Sequence, residues 1–183
     1  MYNFCISICR FLFNLLYKTE VHGKIDLPED SGYMICSNHI HMFDPIFIAM
    51  NIKRRISFMA KKELIDTPIL GKILLRCDVF PVDRGKGDIG AIKTGIRILE
   101  NNKVMAIFPE GTRHRDGEFR DVKKGAAFIA AKAKSTIVPV RIIGNYRLFS
   151  KMILRIGEPI VVGDNPNKEE VHNKMVSAIQ SLV

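Results

Sequence analysis

Two histidines and an aspartate lie close together in the segment SNHIHMFDP, residues 37–45. His39 follows a short apolar run, and Asp44 comes shortly after it, directly before Pro45. A tight loop between them would bring the Asp44 carboxylate to one nitrogen of the His39 imidazole. The carboxylate would orient the ring and stabilise its protonated form, so that the other nitrogen can take a proton from a substrate hydroxyl. The pair therefore predicts a general base that works without a nucleophilic serine.

Simpler interpretations of this segment stay open. Asp before Pro is a common helix start, and Asp44 can cap a helix and orient His39 together, since a carboxylate has two oxygens. His39 alone is also compatible with a loop histidine without a chemical role. A metal site would use His39, His41 and Asp44, but His-x-His metal sites of this kind belong to barrels too large for this chain. No second ligand pair is visible among the remaining histidines, which are His22, His114 and His172. We therefore expect no metal, with His41 a neighbour on the loop.

A second segment, FPVDRGKGD at residues 80–88, combines basic residues with glycines. Arg84 and Lys86 alternate with Gly85 and Gly87 between a predicted strand and a predicted helix. Glycines let a backbone approach a ligand closely, and a helix N-terminus favours an anion. The segment therefore predicts a phosphate contact, although an ordinary turn with solvated charges has the same composition.

A third segment, FPEGTRHRDGEF at residues 108–119, turns through Pro109 and Gly111. It presents Glu110, Thr112 and Arg113 at the end of a predicted strand. Arginine can bind a phosphate through two parallel hydrogen bonds, and threonine can add a third. Glu110 would hold either Arg113 or a substrate hydroxyl. The alternative is a turn with a surface ion pair, which contributes little to stability.

Strands and helices alternate along the chain in a way that predicts how these segments are positioned. We expect strands at 32–37, 56–60, 78–82, 103–109, 136–143 and 152–160, and helices at 45–51, 67–76, 88–102, 122–134 and 167–183. Pro68 is expected in the first turn of the second helix, and Asp88 is expected to cap the third. Alternation of this kind predicts a three-layer α/β domain, with a mostly parallel mixed sheet and helices on both faces. Ligands bind such sheets where strands end, and the three segments follow predicted strands.

The first 18 residues, MYNFCISICRFLFNLLYK, are almost wholly apolar. Their polar members recur at helical spacing and fall on one narrow stripe: Asn3, Ser7, Arg10, Asn14 and Lys18. A secretory signal would need a basic start and a small-residue cleavage site. A membrane span would place Arg10 near the bilayer centre, at a cost of about 2.5–3.5 kcal/mol. We expect an amphipathic helix in the membrane interface, with Arg10 and Lys18 facing phosphates. The alternative is a terminal helix packed on the core.

The chain of 183 residues carries 28 Lys and Arg against 19 Asp and Glu, a net charge of +9. The length suits one domain with its own core. The positive surplus predicts an anionic partner: nucleic acid, a phosphorylated ligand, an acidic protein or an anionic membrane. The cysteines have neither a CxxC pair nor a zinc-site spacing, and we expect free thiols in a reducing compartment: Cys5, Cys9, Cys36 and Cys77.

The order NHIHMFD, FPVDR, FPEGTR and IVPV resembles the four motif blocks of the glycerolipid acyltransferase family, in particular the 1-acyl-sn-glycerol-3-phosphate acyltransferases. The resemblance extends from about Val21 to about Ile160. It implies that His39 is the general base on the free hydroxyl of the acceptor and that Asp44 orients it. That hydroxyl would attack the thioester of acyl-CoA or of an acyl carrier protein, giving phosphatidic acid without a metal or another cofactor.

The resemblance also implies roles for the other motif residues. The acceptor phosphate would be bound by residues of the second and third blocks: Arg84, Glu110, Gly111, Thr112 and Arg113. Pro139 in the fourth block would shape the acyl site. The chain departs from the family where it has RCDVF before the second block and DVKKGAA in place of the usual Phe-Lys before the next helix. Either Lys123 or Lys124 could supply the missing charge.

The implied partners are lysophosphatidic acid, acyl-CoA or acyl carrier protein, and an anionic membrane surface, but no nucleic acid. The implied location is the cytoplasmic face of a bacterial plasma membrane, with a peripheral or monotopic protein. Residues 1–18 would form the interfacial helix and residues 19–183 the acyltransferase domain. Basic residues that could meet headgroups, carrier protein or CoA are Lys53, Arg54, Arg55, Lys61 and Lys62. The alternatives are another acceptor, such as glycerol 3-phosphate, another lysophospholipid or lyso-ornithine lipid, and a non-catalytic lipid-binding module of the same fold.

Overall fold

The structure is a computed structural model that describes residues 1–83 and 88–183. Within these residues the strands form a single sheet: β1 (Lys18–His22), β2 (Tyr33–Ser37), β3 (Ile56–Lys61), β4 (Val79–Val82), β5 (Val104–Ile107), β6 (Thr136–Ile143) and β7 (Lys151–Ile156). Their order across the sheet is β1-β7-β6-β2-β5-β3-β4. The strands from β6 to β4 are mutually parallel, whereas β7 is antiparallel to β6 and β1 is parallel to β7.

Helices cover both faces of this sheet: α1 (Tyr2–Leu16), α2 (Asp44–Asn51), α3 (Lys62–Ile65), α4 (Leu70–Arg76), α5 (Ile89–Glu100), α6 (Gly125–Ala133) and α7 (Lys168–Ser181). One core cluster includes Phe13 of α1 and Phe47 of α2. The other includes Leu99 of α5, Ile129 of α6 and Met175 of α7. Two cores separated by one sheet make three layers, so the predicted α/β fold is confirmed.

The sequence of the central strand β2 does not alternate between apolar and polar residues. All five of its residues are buried, because helices cover both sides of a parallel sheet. β5 lies on one side of β2 and β6 on the other. Since parallel strands end at the same edge, the loops that follow β2, β5 and β6 meet there.

Two elements were not predicted, and one helix starts later than expected. β1 was missed because four of its five residues are exposed, so that an edge strand carries no hydrophobic pattern. α3 is only four residues long. The helix predicted from Thr67 begins at Leu70, and Pro68 lies in the preceding turn instead of the first helical turn. Asp88 caps α5 as predicted, since its side chain accepts a hydrogen bond from the Ala91 N–H.

The amino-terminal helix α1 has three distinct sides. One side packs against α2 and buries Tyr2 and Phe13. A second, exposed side is polar: Asn3, Ser7, Arg10 and Asn14. The third side is exposed and apolar, and we call it the outer stripe of α1: Phe4, Ile8, Phe11, Leu12 and Leu15. Among the described residues, no helix has the length and apolarity needed to cross a membrane.

Two details of the amino-terminal prediction differ from the structure. The Arg10 guanidinium donates hydrogen bonds to the Met50 carbonyl in the last turn of α2, so it is not directed away from the protein toward lipid phosphates. Such a bond satisfies a helix-end carbonyl that has no partner within its own helix. The division expected after residue 18 falls within β1, which starts at Lys18 and pairs with β7. The helix itself is confirmed, and its position in a membrane stays a prediction.

Candidate active site

Three loops meet at the edge of the sheet where β2, β5 and β6 end. They are residues 38–43 between β2 and α2, residues 108–124 between β5 and α6, and residues 144–150 between β6 and β7. Asn38 ties the first loop to β6, because its amide donates to the Ile142 carbonyl and accepts from the Ile142 N–H. The first loop is therefore anchored to the neighbouring strand just before His39.

His39 and Asp44 form the pair that the sequence predicts. His39 Nδ1 lies 2.7 Å from Asp44 Oδ2, and both side chains are buried. The imidazole also stacks on the Phe108 ring, with 4.1 Å between the ring centres. Among the described residues no protein group hydrogen-bonds to His39 Nε2. The ring is thus held by one nitrogen and one face, which leaves Nε2 for a substrate.

The Asp44 carboxylate accepts hydrogen bonds on both oxygens. Oδ2 accepts from His39 Nδ1 and from the N–H groups of Ile40 and His41, at 2.6 and 2.8 Å for the last two. Oδ1 accepts from the Tyr146 hydroxyl at 2.7 Å. Four donors around two oxygens suit an ionised carboxylate, which only accepts, so His39 Nδ1 carries the ring proton.

The expectation that Asp44 caps the following helix is wrong. Asp44 is the first residue of α2, the cap position is Phe43, and no side chain caps this helix. The Asp44 carboxylate turns back to the loop that precedes it, where Ile40 and His41 provide N–H groups. Pro45 does lie in the first turn, as expected. The Asp-Pro signal predicts the helix start correctly, but the carboxylate serves the loop.

The backbone of His39 is held from both sides by the loop after β5. The His39 N–H donates to Glu110 Oε2 at 2.7 Å, and the His114 N–H donates to the His39 carbonyl at 2.8 Å. Asp44 thus fixes the ring of His39 while the third motif segment fixes its backbone. The two segments form one site because β2 and β5 are neighbours in the sheet.

Glu110 is buried, and no ion pair with Arg113 is present among the described residues. Its other oxygen faces the Arg120 N–H at 3.5 Å. Burial raises the pKa of Glu110 to about 7, although the N–H groups of His39 and Arg120 act in the opposite direction. The Asp44 charge contributes to the rise. Glu110 therefore supports the loop that carries His39, and its contact with an acceptor phosphate stays a prediction.

Thr112 and Arg113 are exposed at the same edge. Burial lowers the pKa of His41, and the positive charges of Arg113 and Arg115 lower it further, while Asp44 opposes the change. Arg113 therefore lies near the loop that carries His39. No ion pair or hydrogen bond of its guanidinium is found within residues 1–83 and 88–183, so it can bind an anion.

Lys123 and Lys124 have different surroundings. Lys124 Nζ is bound to the Glu169 carboxylate on α7, at 2.8 Å. Lys123 lies beside the turn at Gly111. A Cβ atom added to Gly111 would come within 2.9 Å of Lys123 Nζ. Gly111 also has a φ of 70°, a conformation that suits glycine. Both lysines are exposed, but Lys123 is the one beside the FPEGTR turn.

A cavity of about 550 Å³ lies next to the loop that carries His39. Phe108, which stacks on His39, is part of its wall, together with Gly111 and Lys123. The apolar wall is completed by residues from three strands and two helices: Met59, Val82, Ala91, Ile92, Ile107 and Ala126. A ligand here would meet mainly apolar side chains, together with Lys123 and the carboxylates of Asp83 and Asp88.

Among the predicted site residues, Gly111 and Lys123 line this cavity. Arg84 lies outside the described residues, which end at Asp83 and resume at Asp88. Pro139 is within β6, opposite Cys36 of β2, and lines a different groove of about 810 Å³ beside α7. A role of Pro139 in an acyl site stays a prediction.

Tyr146 and Asn38 were not predicted as site residues. Tyr146 is distant in sequence from Asp44 and lies in a loop without a motif, so nothing in the sequence indicates that its hydroxyl reaches the carboxylate. Asn38 had a weak signal, because a polar residue follows a buried strand directly. Also, no group of three or more His, Cys, Asp or Glu side chains in the described part of the chain is arranged to hold a metal ion.

Comparison with known proteins identifies the family. The sequence profile of the family described as Acyltransferase matches residues 18–143, which include His39, Asp44 and the FPEGTR turn. The chain belongs to the acyltransferase family. The resemblance of its four motif blocks is thereby confirmed, and the protein is an acyltransferase.

Individual members of the family are similar to this acyltransferase over most of its length. A 1-acyl-sn-glycerol-3-phosphate acyltransferase of Bacillus subtilis (strain 168) is 36% identical over 180 residues, which cover 93% of this chain and 89% of that protein. An enzyme of the same name from Streptococcus pneumoniae is 32% identical, over 96% of this chain and 70% of that protein. The crystal structure of the 1-acyl-sn-glycerophosphate (LPA) acyltransferase of Thermotoga maritima superimposes with a TM-score of 0.82. It is 24% identical, over 98% of this chain and 77% of that one, and confirms the fold.

Proposed function

We propose that this acyltransferase moves an acyl chain from acyl-CoA or acyl carrier protein to the sn-2 hydroxyl of 1-acyl-glycerol 3-phosphate, which gives phosphatidic acid. The relatives described above carry the name of this activity. The observation that carries the proposal is the buried pair of His39 and Asp44, with Nε2 left for a substrate hydroxyl. An acyl transfer between a hydroxyl and a thioester needs such a base, and needs no bound cofactor.

The chemistry follows from the geometry of the pair. His39 Nε2 takes the proton of the acceptor hydroxyl while the hydroxyl oxygen attacks the thioester carbonyl. The tetrahedral intermediate then collapses, the carbon–sulfur bond breaks, and the imidazolium returns the proton to the leaving thiolate. Asp44 stabilises the imidazolium between these steps, since it is buried next to Nδ1. The products are the new ester and a free thiol.

The basic groups around the cavity are suited to the phosphate of the acceptor. Arg113 is exposed near the His39 loop, and Thr112 beside it offers a hydroxyl. Lys123 lines the cavity, whereas Lys124 is bound to Glu169. We assign the phosphate contact to Arg113, Thr112 and Lys123, with Arg84 as a further expected contact. The apolar wall of the same cavity suits the acyl chain that this acceptor carries.

The outer stripe of α1 supports a position at an anionic membrane surface. Phe4 and Phe11 are 69% and 70% exposed, and the other members of the stripe lie beside them on the same side of the helix. An apolar stripe on a helix can enter the boundary between headgroups and acyl chains, and the net charge of +9 adds attraction to anionic lipid. We place the enzyme on the cytoplasmic face of the plasma membrane as a peripheral or monotopic protein.

A thiol-release assay tests the proposed reaction. Purified protein is given acyl-CoA or acyl carrier protein thioester together with one acceptor at a time. The acceptors are 1-acyl-glycerol 3-phosphate, glycerol 3-phosphate, other lysophospholipids and lyso-ornithine lipid. We expect the highest kcat/KM with 1-acyl-glycerol 3-phosphate, and phosphatidic acid in an amount equal to the thiol released. Preference for another acceptor would reassign the substrate, and absence of acceptor-dependent release would indicate a non-catalytic lipid-binding role.

A further inference from the structure

Tyr146, in the loop between β6 and β7, reaches into the catalytic pair. Its hydroxyl donates to Asp44 Oδ1 at 2.7 Å. That oxygen is the one that His39 does not contact, because His39 and the two loop N–H groups all use Oδ2. Within the described residues the Tyr146 hydroxyl is the donor found at Oδ1. Without it, one oxygen of a fully buried carboxylate would have no partner.

The protein holds Tyr146 in a backbone conformation that an aromatic residue rarely adopts. Its φ is 53°, in the left-handed region that favours glycine. Such a conformation persists only when the surroundings fix it. Here the ring stacks on His41 at 4.5 Å between ring centres and meets the edges of Phe13 and Tyr17 at 6.2 and 5.7 Å. The strained backbone and the aromatic packing together direct the hydroxyl at Asp44.

The protonation of Tyr146 agrees with this arrangement. Burial raises the pKa of Tyr146, and the negative charge of Asp44 raises it further. The phenol is therefore protonated at neutral pH, and it remains a donor to the carboxylate. It does not itself exchange a proton with the substrate, because the Asp44 side chain stands between it and His39.

We propose that Tyr146 is a positioning residue of the acyl transfer, whose hydroxyl fixes Asp44 and through it the orientation and proton affinity of the His39 imidazole. For its effect on the rate, this inference rests on the proposed function. The O–H dipole points its positive end at the carboxylate and so offsets part of the negative charge that attracts an imidazolium. Loss of the hydroxyl should leave the imidazole protonated up to a higher pH and less firmly oriented.

The test compares Tyr146→Phe with a control, Tyr33→Phe. Both changes remove one hydroxyl from a largely buried tyrosine, but Tyr33 lies at the start of β2, at the opposite end of that strand from His39. For Tyr146→Phe we expect kcat to fall by about 10- to 100-fold, the range for a hydrogen bond to a charged group. KM for both substrates should stay close to that of the wild type, and the acid limb of kcat against pH should move to higher pH. Tyr33→Phe should resemble the wild type in all three quantities.

The shift of the acid limb can be assigned to the hydroxyl because every other titratable or charged group near the pair is retained in the variant. These groups are Tyr17, His41, Glu110, Arg113, His114 and Arg115. A double-mutant cycle adds a second measurement. If Tyr146 acts through Asp44, then Tyr146→Phe should lower kcat by a much smaller factor in an Asp44→Asn background than in the wild type. Equal costs in both backgrounds would overturn the inference.

NMR titration of the His39 ring separates this inference from the proposed function, because it needs no substrate. A higher titration midpoint in Tyr146→Phe than in the wild type supports the inference even if acyl transfer to 1-acyl-glycerol 3-phosphate is not observed. An unchanged midpoint together with an unchanged acid limb overturns it, even if the wild type is fully active. Tyr146→Phe could instead lower kcat and the unfolding temperature without moving the titration midpoint or the acid limb. That result would also overturn the inference, because it indicates that Tyr146 contributes packing alone.

Discussion

His39, the proposed base, is fixed by separate parts of the chain. The ring of His39 is bound by Asp44, and its backbone N–H is bound by Glu110. The sequence predicts that Asp44 orients His39 and that Glu110 holds either Arg113 or a substrate hydroxyl. The structure separates them: Asp44 is held by four donors, whereas Glu110 is buried with two backbone N–H groups and has a pKa raised to about 7. One carboxylate supports the charge of the ring, and the other supports the position of the loop.

Glu110→Gln should change how stability depends on pH. The raised pKa means that the folded state favours the protonated carboxyl of Glu110. Its stabilising contribution to the free energy of unfolding is therefore full below about pH 4.5 and is lost as the pH rises to about 7. Glutamine is neutral throughout and can still accept from the His39 N–H. We expect the two proteins to match at low pH and the variant to gain up to about 3 kcal/mol relative to the wild type by pH 8. Urea unfolding across this range measures the difference, and a constant difference would contradict the account.

Lys123→Ala and Lys124→Ala form a matched pair at neighbouring positions. Lys123 lines the cavity beside Gly111, while Lys124 is bound to Glu169 at the surface. Removing a charged contact to phosphate should raise KM for the acceptor by about tenfold in Lys123→Ala, with a smaller effect on the acyl donor. Lys124→Ala should leave both KM values near those of the wild type, since surface ion pairs contribute little. The reverse pattern would assign the contact to Lys124.

At the scale of the elements, the site depends on which strands are neighbours. β2 lies between β5 and β6, so the loops after these three strands meet over one edge of the sheet. The helix α1 joins this arrangement from outside, because Phe13 packs on the ring of Phe43 in the His39 loop and on that of Tyr146. One side of α1 therefore supports the site, while the outer stripe stays exposed.

Replacing Phe4 and Phe11 together with serine tests the membrane role of the outer stripe. Both rings are mostly exposed, so their loss should leave the fold stable. Each ring that enters the membrane contributes apolar burial, and we expect binding to anionic vesicles to fall roughly tenfold or more. Asn3→Ser with Asn14→Ser, on the polar side of the same helix, serves as the control and should bind as the wild type does. Equal cosedimentation of all three proteins would refute the role.

For the whole molecule, the sequence is informative where a pattern repeats or a motif is local. Alternating elements predict the three-layer fold, and the short spacing of His39 and Asp44 predicts their contact. Edge strand β1 carries no such pattern, and Tyr146 meets Asp44 only because the chain folds back between β6 and β7. The assignment of Lys123 instead of Lys124 likewise depends on α7, whose Glu169 binds one of two lysines that look equivalent in sequence. Contacts between segments that are distant in sequence could thus be found only from the structure.

The positive charge of the whole molecule predicts that membrane binding depends on salt. The net charge of +9 is spread over a surface that also carries the outer stripe of α1. Raising the ionic strength screens charge attraction but leaves apolar burial in place. We expect binding to anionic vesicles to weaken strongly with salt and then level off, and binding to neutral vesicles to be weak at all salt concentrations. Vesicle binding that is independent of both salt concentration and lipid charge would contradict this expectation.

The central claim is that His39 is the base of acyl transfer, and His39→Ala tests it most directly. The control is His22→Ala, which removes an exposed histidine on β1. With acyl-CoA and 1-acyl-glycerol 3-phosphate, we expect kcat of His39→Ala to fall by about 10²- to 10⁴-fold, the usual contribution of a general base. Circular dichroism should show that both variants remain folded, and His22→Ala should keep the wild-type rate. A folded His39→Ala enzyme with near wild-type turnover would contradict the account.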